Sequence, residues 1–408
     1  RSVFARKNYF YPDLPKGYQI SQYTLPLGRG GEIAFKCDGA FKVVHLQRIH
    51  LEEDAGKLLH PEGDEPYSRV DFNRCGVPLI EIVSEPEIFS PREAYCYLQM
   101  LKQIMQYLRI CSGDMEKGHL RCDANISVRP AGSDAIGIRT EVKNLNSFKM
   151  VEAALAYEID RQVKSIKSGG IIDQATLLWD ENLREALPMR SKEESQDYRY
   201  FPEPDLVDLV VGPDWLDSLK VELPEMADKR ARRFVRQYRI PEYDAQVLTD
   251  SRELADYFEA VMSDFDDGKI ASNWIMTELL KIIKEEKILI ADFRVTPKMV
   301  AELLGYVRSG EISGRIAKEV FAMMAATGRP AGQIIEEKGL VQITDQSIIK
   351  SVIERVIFSN EKALEKYLQG KKQVFGFFVG QVMKETGGKA NPELVNTLVQ
   401  ERLDELEG

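Results

Sequence analysis

The sequence predicts an α+β protein: an antiparallel-sheet-rich front, then an all-α helical region, then an α-helical tail. Three observations carry this. Apolar and polar residues alternate at period two in several segments before about residue 200 and in none after it. From Lys229 onward almost every segment has helical period. Glycines at 310, 328, 339 and 370 supply the stops between those segments. Proline and acid density rises over residues 202–228, where the pattern changes, and "TGRPAG" at 327–332 divides the helical half. The expected domains are therefore 1–222, 223–330 and 331–408.

Taken in order, the first informative strand ends in "RIHLEED", residues 48–54. Ile49, Leu51 and Glu53 project to one side, while Arg48, His50, Glu52 and Asp54 project to the other. Glu53 inherits the apolar face, where a carboxylate must be paired, protonated or bound to a cation. Glu52 and Asp54 carry no such burden. The alternative is a strand ending at Leu51, followed by an exposed turn with all the acids solvated. A second acid, Glu81, interrupts the apolar run "VPLIEIV". Ser90-Pro91-Arg92-Glu93 is a capping box, and Ala94, Leu98, Leu101, Met105 and Leu108 then recur at helical spacing, so this helix covers a sheet.

"HLRCDANISVR" alternates, with Leu120, Cys122, Ala124, Ile126 and Val128 on one face and Arg121, Asp123, Asn125, Ser127 and Arg129 on the other. After a turn over 130–137, Ile138, Thr140 and Val142 oppose Arg139, Glu141 and Lys143. This reads as an antiparallel hairpin with one apolar and one charged face. A long helix from about Phe148 to Lys167 follows and stops at Gly169-Gly170.

The chain has 408 residues, 44% of them hydrophobic and 29% charged, which fits two or three ordinary globular domains. It contains no run of 18 apolar residues, and "RSVFARKNYFYPD" has neither an initiator Met nor a signal-peptide core, so it reads as cytoplasmic and as a fragment, with no membrane partner. Five scattered cysteines without a C-x-x-C pair argue against a disulfide framework and against zinc in this segment. A net charge of −10 disfavours indiscriminate nucleic-acid binding, and the acidity belongs to residues 1–293.

Glu53, Glu81, Asp123 and Glu141 bring hard oxygen donors from separate strands, a set suited to Mg²⁺, and converging carboxylates about 5–10 Å apart are expected. A salt-bridged outer face is the alternative. A phosphate loop of the G-x-x-x-x-G-K-[ST] kind is absent, and "GRGG" at 28–31 lacks the context of a dinucleotide fingerprint, so side chains and metal must hold any nucleotide. No Ser/His/Asp or Cys/His nucleophile pattern can be assembled. In "DKRARRFVRQYR", Arg232, Arg236 and Arg239 fall on one helix face beside Lys229 and Arg233, a basic stripe that is either solvated or set against an RNA backbone. In the tail, Lys371, Lys372, Lys384 and Lys389 mix with Phe375, Phe377 and Phe378, which read as core in preference to base-stacking platforms.

"ARKNYFYPDLPKGYQISQY", "HLEEDAGK", "DFNRCGVPLIEIVSEPEI", "MEKGHLRCDANISVRP", "RTEVKNLNSF", "DYRYFPEPDL" and "FFVGQVMKETGGKANPELVN", in this order and over the whole chain, resemble the B subunits of the bacterial aspartyl/glutamyl-tRNA amidotransferases, the GatB family. The resemblance implies a cradle domain bearing kinase and transamidase chemistry, a helical tRNA-binding domain and a YqeY-like tail. It implies ATP and Mg²⁺ as cofactors, the glutaminase (A) and C chains of the same enzyme as partners, and misacylated tRNA(Gln) or tRNA(Asn) as substrate. ATP phosphorylates the side-chain carboxylate of the attached Glu or Asp, and ammonia from glutamine then displaces the phosphate. The implied metal site uses Glu53 together with a Glu-x-His pair that precedes Arg1 in the family pattern; Glu81 is the further metal candidate. With the hairpin acids read above, Glu53, Asp123 and Glu141 are the candidate catalytic residues. The implied ammonia path takes in Lys7, Lys16, Glu53 and Asp123, and the basic residues Lys229, Arg232, Arg233, Arg236, Lys371 and Lys372 are the candidates for tRNA binding. Two readings from other classes stand beside this one. A tRNA-binding scaffold requires amidation to survive Glu53→Ala, and a carboxylate-metal hydrolase requires phosphodiester cleavage without the glutaminase.

Overall fold

The computed structural model describes residues 1–59, 67–133, 135–189, 198–340 and 345–407. His60 and one residue of the predicted turn over 130–137 lie outside them. The chain forms two compact units, Arg1–Pro224 and Glu225–Gly408. Strands β1 (Ala5–Asn8), β2 (Tyr18–Ser21), β3 (Gly28–Arg29), β4 (Glu32–Cys37) and β5 (Ala40–Glu53) open the first unit, followed by β6 (Lys57–Leu59), β7 (Arg69–Asp71) and β8 (Pro78–Ser84). Helix α1 (Pro91–Tyr107) comes next, then β9 (Ala124–Ile126), β10 (Thr140–Lys143), α2 (Phe148–Lys167), β11 (Ala175–Asp180), β12 (Glu185–Pro188), β13 (Phe201–Pro202) and α3 (Pro213–Glu222).

β5 is the spine of this unit. It pairs antiparallel with β4 over its first half and with β8 over its second, and β3 meets its middle. A bulge between Leu46 and Arg48 shifts the register and the phase of the side chains. Val44 and Leu46 point into the core before it, and Ile49, opposite Ile82, packs against that core after it. His50 and Glu52 are thereby turned away from the core.

The predicted hairpin is present but short. β9 pairs antiparallel with β10, and Ala124, Ile126, Thr140 and Val142 are buried. Ile138 is exposed, because the strand begins only at Thr140. β10 also pairs in parallel with β11, and α2 supplies the long crossover that such a pairing requires. α2 spans the predicted residues, capped by the Ser147 hydroxyl, which accepts from Met150 N. α1 is capped by Ser90, whose hydroxyl accepts from the Glu93 amide at 3.1 Å. The Glu93 carboxylate closes the cap one residue earlier than the motif predicts, on the Phe89 amide at 2.8 Å.

Between α2 and β10 lies a buried charge. Glu158 is fully buried and accepts from Arg161 and Thr140, each at 2.7 Å, and from Gln162 at 2.8 Å. Burial pushes its carboxyl up, and these hydrogen bonds more than offset that, holding it below its ordinary value.

The second unit is entirely helical among the described residues, from α4 (Ala227–Tyr238) to α15 (Pro392–Glu407). It has two cores. One is built around Phe234, Phe258, Ile275, Leu303 and Phe321, the other around Ile349, Val356, Phe378 and Val399. Ala331, at the end of "TGRPAG", and Ile334 and Ile335 just past it pack into the first, so the helix Ala331–Lys338 stays with the helices before it. Gly328 and Gly339 end their helices in the left-handed conformation, with φ of 72° and 57°. No described helix is long and apolar enough to cross a membrane.

Candidate active site

The site is built where two polar strand faces meet. β2 reads Tyr18-Gln19-Ile20-Ser21, and Gln19 and Ser21 are its buried residues. β5 turns His50 and Glu52 toward them. Beyond Ile49 one edge of β5 has no strand beside it among the described residues, and glutamine side chains take the backbone groups instead: Leu51 N donates to Gln22 Oε1 at 3.1 Å and Gln19 Nε2 donates to the Glu53 carbonyl at 2.8 Å. Gln19 of β2 and Gln22 just after it thus finish a sheet edge, and Gln19 also walls the site.

Glu52 is the centre of this cluster, with its side chain only 7% exposed. Its carboxylate accepts from Ser21 Oγ at 2.7 Å and Gln19 Nε2 at 3.1 Å and lies 3.2 Å from His50 Nε2. Burial raises its pKa, but the hydrogen bonds from His50 and Ser21 and the nearby Lys7 ammonium prevail, so it stays ionised below its ordinary range. Glu81 stands opposite His50 in the β5–β8 register and reaches the same ring nitrogen at 3.5 Å. His50, Glu52 and Glu81 each bring a ligand atom within 4.8 Å of the others, and no other such triad of His, Cys, Asp and Glu occurs among the described residues. His50 Nδ1, Gln22 Nε2 and Arg48 Nε are buried there without a hydrogen-bond partner among those residues.

This differs from the sequence reading at two points. Glu52 and Asp54 are not wet: Gln19 and Ser21 of β2 cover Glu52, and Asp54 is buried and accepts from Arg121 at 2.7 Å. Glu81 is grouped with His50 and Glu52 in place of Glu53, because register sets Glu53 opposite Pro78, three residues further along. Each of the four carboxylates expected to converge has a basic partner of its own neighbourhood, His50 in the case of Glu81. Glu53, 14% exposed, is paired with the Lys16 ammonium and accepts from Ile20 N at 2.9 Å. Asp123 and Glu141 share Lys143, at 2.5 and 3.1 Å, and Asp123 is 52% exposed. One signal for His50 and Glu52 was present in the sequence: "VVHLQRIHLEE" breaks its own alternation at Gln47, which marks the bulge.

An aromatic wall borders the cluster. Tyr23 stacks on Tyr200 with centroids 4.2 Å apart, and Tyr198 meets both Tyr9 and Tyr200 edge-on at 6.0 Å. The Lys7 ammonium lies 5.0 Å from the Tyr198 ring and Lys16 4.7 Å from that of Tyr18. Burial first, and then the charges of Asp13 and Glu52, push Tyr9 up to about 12.

The predicted basic residues lie in the second unit. Lys229, Arg232 and Arg236 are exposed on α4, whereas Arg233 is engaged by Glu225 and Glu259 at 2.7 and 2.6 Å. Arg232 pairs with Asp228 at 2.9 Å, across one helical turn. Lys371 and Lys372 are exposed, and Lys372 pairs with Glu407 at 2.5 Å. Of the tail aromatics, Phe378 is fully buried and Phe375 packs against the core, while Phe377 is exposed.

Comparison with known proteins agrees with this division. The GatB/GatE catalytic domain matches residues 1–217 and the GatB domain matches residues 256–403. The B subunit of the aspartyl/glutamyl-tRNA(Asn/Gln) amidotransferase of Moorella thermoacetica is 50% identical over 98% of this chain and 84% of its own length. Its counterparts in Thermodesulfovibrio yellowstonii and Chlorobium phaeobacteroides are 51% and 52% identical, over 99% of this chain and 85% of theirs.

Proposed function

Because the chain belongs to the family of aspartyl/glutamyl-tRNA(Asn/Gln) amidotransferase B subunits, and so to a multi-subunit enzyme, we propose that its first unit activates the side-chain carboxylate of Glu-tRNA(Gln) or Asp-tRNA(Asn) with ATP and amidates it. The partners in this reading are the glutaminase chain, which delivers ammonia, and the C chain of the same enzyme. The observation that carries the reading is the His50–Glu52–Glu81 triad, in which a buried carboxylate is kept ionised beside a second one.

The chemistry explains why such a site is needed. A carboxylate does not yield to ammonia, so an oxygen of the Glu or Asp side chain first attacks the γ-phosphorus of ATP and ADP leaves. Ammonia then attacks the carbonyl carbon, and phosphate departs. Glu52 and Glu81 supply the one or two carboxylates that Mg²⁺ takes from a protein when phosphates and water complete its shell, so the donor set fits. Bound there, the cation would neutralise charge on the transferring phosphoryl group. His50 Nε2 lies 3.2 Å from Glu52 and 3.5 Å from Glu81, and Ser21 and Gln19 also fix Glu52. Glu53 is held by Lys16, which favours its second implied role, on the ammonia path with Lys7, Lys16 and Asp123. Asp123 and Glu141, bridged by Lys143, contribute a further ionisable group to that path.

Isotope transfer tests the reaction. With ¹⁸O in the side-chain carboxylate of the charged tRNA, the complete complex is expected to release one ¹⁸O into inorganic phosphate for each amide formed. Unlabelled phosphate alongside full amidation would eliminate acyl phosphate formation.

The tRNA body needs a basic surface outside the acidic first unit, and the exposed part of α4 offers one. The double reversal Arg232→Glu and Arg236→Glu is expected to raise the KM for charged tRNA several-fold and to lower the slope of log K against log salt by about 1 for each phosphate no longer neutralised. An unchanged KM and slope would exclude α4 as a binding surface.

A further inference from the structure

The loop between β1 and β2 presents an aromatic ring that nothing described so far uses. Its base is closed by a backbone bond from Tyr9 N to Gly17 O at 3.2 Å. Internal bonds from Leu14 N to Tyr11 O and from Gly17 N to Leu14 O shape it, and Asp13 O accepts from Gly56 N at 2.9 Å. Leu14 is buried as an anchor, and Pro12 and Pro15 restrict the backbone further. On this fixed frame Phe10 is 89% exposed, and Tyr11 beside it is also exposed. Gly17 has φ of 73°, and a Cβ there would come within 2.9 Å of the Phe10 ring, so the ring rests on a bare backbone. A cavity of about 480 Å³ opens beneath, lined by Phe10, Tyr11, Pro12, Leu14, Lys16 and Gly17 among others. Lys16, one of its lining residues, is the residue paired with Glu53, so the cavity borders the candidate active site.

We propose that this loop seats the unpaired 3′-terminal adenosine of the tRNA, with its base stacked on Phe10 and the attached amino acid directed past Lys16 toward Glu53 and Glu52. The inference rests on the proposed function, which brings a charged tRNA end to this site. Three features select that occupant. Aromatic rings interleaved with cations, here Lys7, Tyr9, Phe10, Tyr11 and Lys16, match a single-stranded nucleic acid, whose bases stack while its phosphates meet positive charge. A ring as exposed as Phe10 offers a face but encloses nothing. That suits the end of a macromolecule gripped elsewhere and not a free nucleotide, which must draw its affinity from burial. The loop is also braced by its own backbone bonds and by two prolines, which lowers the conformational entropy lost on seating the base.

The test uses the complete complex and uncharged tRNA(Gln) and tRNA(Asn) with 2-aminopurine as the 3′-terminal base. Stacking in the wild-type complex is expected to quench the fluorescence. Phe10→Ala should abolish most of the quench and weaken tRNA binding about tenfold, within the range that base–aromatic stacking supports, while Phe10→Trp retains both. Removing the terminal nucleotide should make wild type and Phe10→Ala bind alike. The KM for ATP should stay within about twofold in every variant. Equal quench and tRNA affinity in Phe10→Ala would overturn the proposal. A raised KM for ATP with intact tRNA binding would also overturn it, by assigning the ring to the nucleotide. A wild-type complex that binds neither tRNA would sink the proposed function itself, a result distinct from a complex that binds tRNA and ignores Phe10.

Discussion

Glu52→Gln in the complete complex is expected to lower tRNA-dependent ATP turnover by roughly 10²–10³-fold, the cost of removing a preorganised charge from a phosphoryl-transfer site. Glutamine hydrolysis by the partner glutaminase should remain measurable. The substitution keeps the shape of the side chain and its bond to Ser21 but removes the charge that His50 and Lys7 stabilise. Glu53→Gln should behave differently, because its carboxylate faces Lys16 and the Ile20 amide. Phosphate release should continue in that variant while amide formation falls, so that ATP is consumed without product. Parallel assays of phosphate, amide and glutamate on the two variants separate activation from ammonia delivery. If Glu53→Gln alone stops phosphate release, the activating carboxylate is Glu53 and the triad is a support.

Glu158→Ala should destabilise the first unit by about 3 kcal/mol, the low end for breaking a buried ion pair, because Arg161 still reaches solvent while Thr140 and Gln162 lose a buried partner. The loss depends on pH in a defined direction. The folded carboxyl titrates below its ordinary value of 4.5, so its contribution is complete above that value and fades as pH falls through the lower folded one. The gap between wild type and variant in urea titrations should therefore be constant from about pH 6 to 8 and close in acid. A gap that widens in acid would show that Glu158 is protonated in the folded protein.

The sequence made the helices legible because their signals are local. Ser90, Ser147, Gly328 and Gly339 each mark an end that the structure places within a residue or two. The parallel pairing of β10 with β11 was not legible from strand pattern alone, since it follows from a crossover of more than thirty residues. At the site, alternation put Glu53 and Glu52 on opposite sides, and the charged side was expected to be solvated. That inference failed because burial of the His50–Glu52 face depends on β2, a strand some thirty residues away whose own buried positions are Gln19 and Ser21. Polar residues covering polar residues leave no hydrophobic periodicity to read.

The bulge at Gln47 lets one strand answer to two neighbours. Its first half serves the core through Val44 and Leu46, and its second half points His50 and Glu52 at the chemistry. If the same residues paired without a bulge, the period of two would run on from Leu46, and Arg48, His50 and Glu52 would face the interior. The bulge therefore works as an expansion joint, taking up one surplus residue so that Ile49 regains the core side. Deleting Gln47 would close the joint into a regular ladder and leave every later side chain on its present face. Between Ile49 and Glu53 no such slack exists, and one residue more or fewer there would exchange the contents of two compartments at once. Among descendants of this chain, single-residue gaps should be tolerated beside Gln47 and absent a few positions later, although both places lie on one continuous strand.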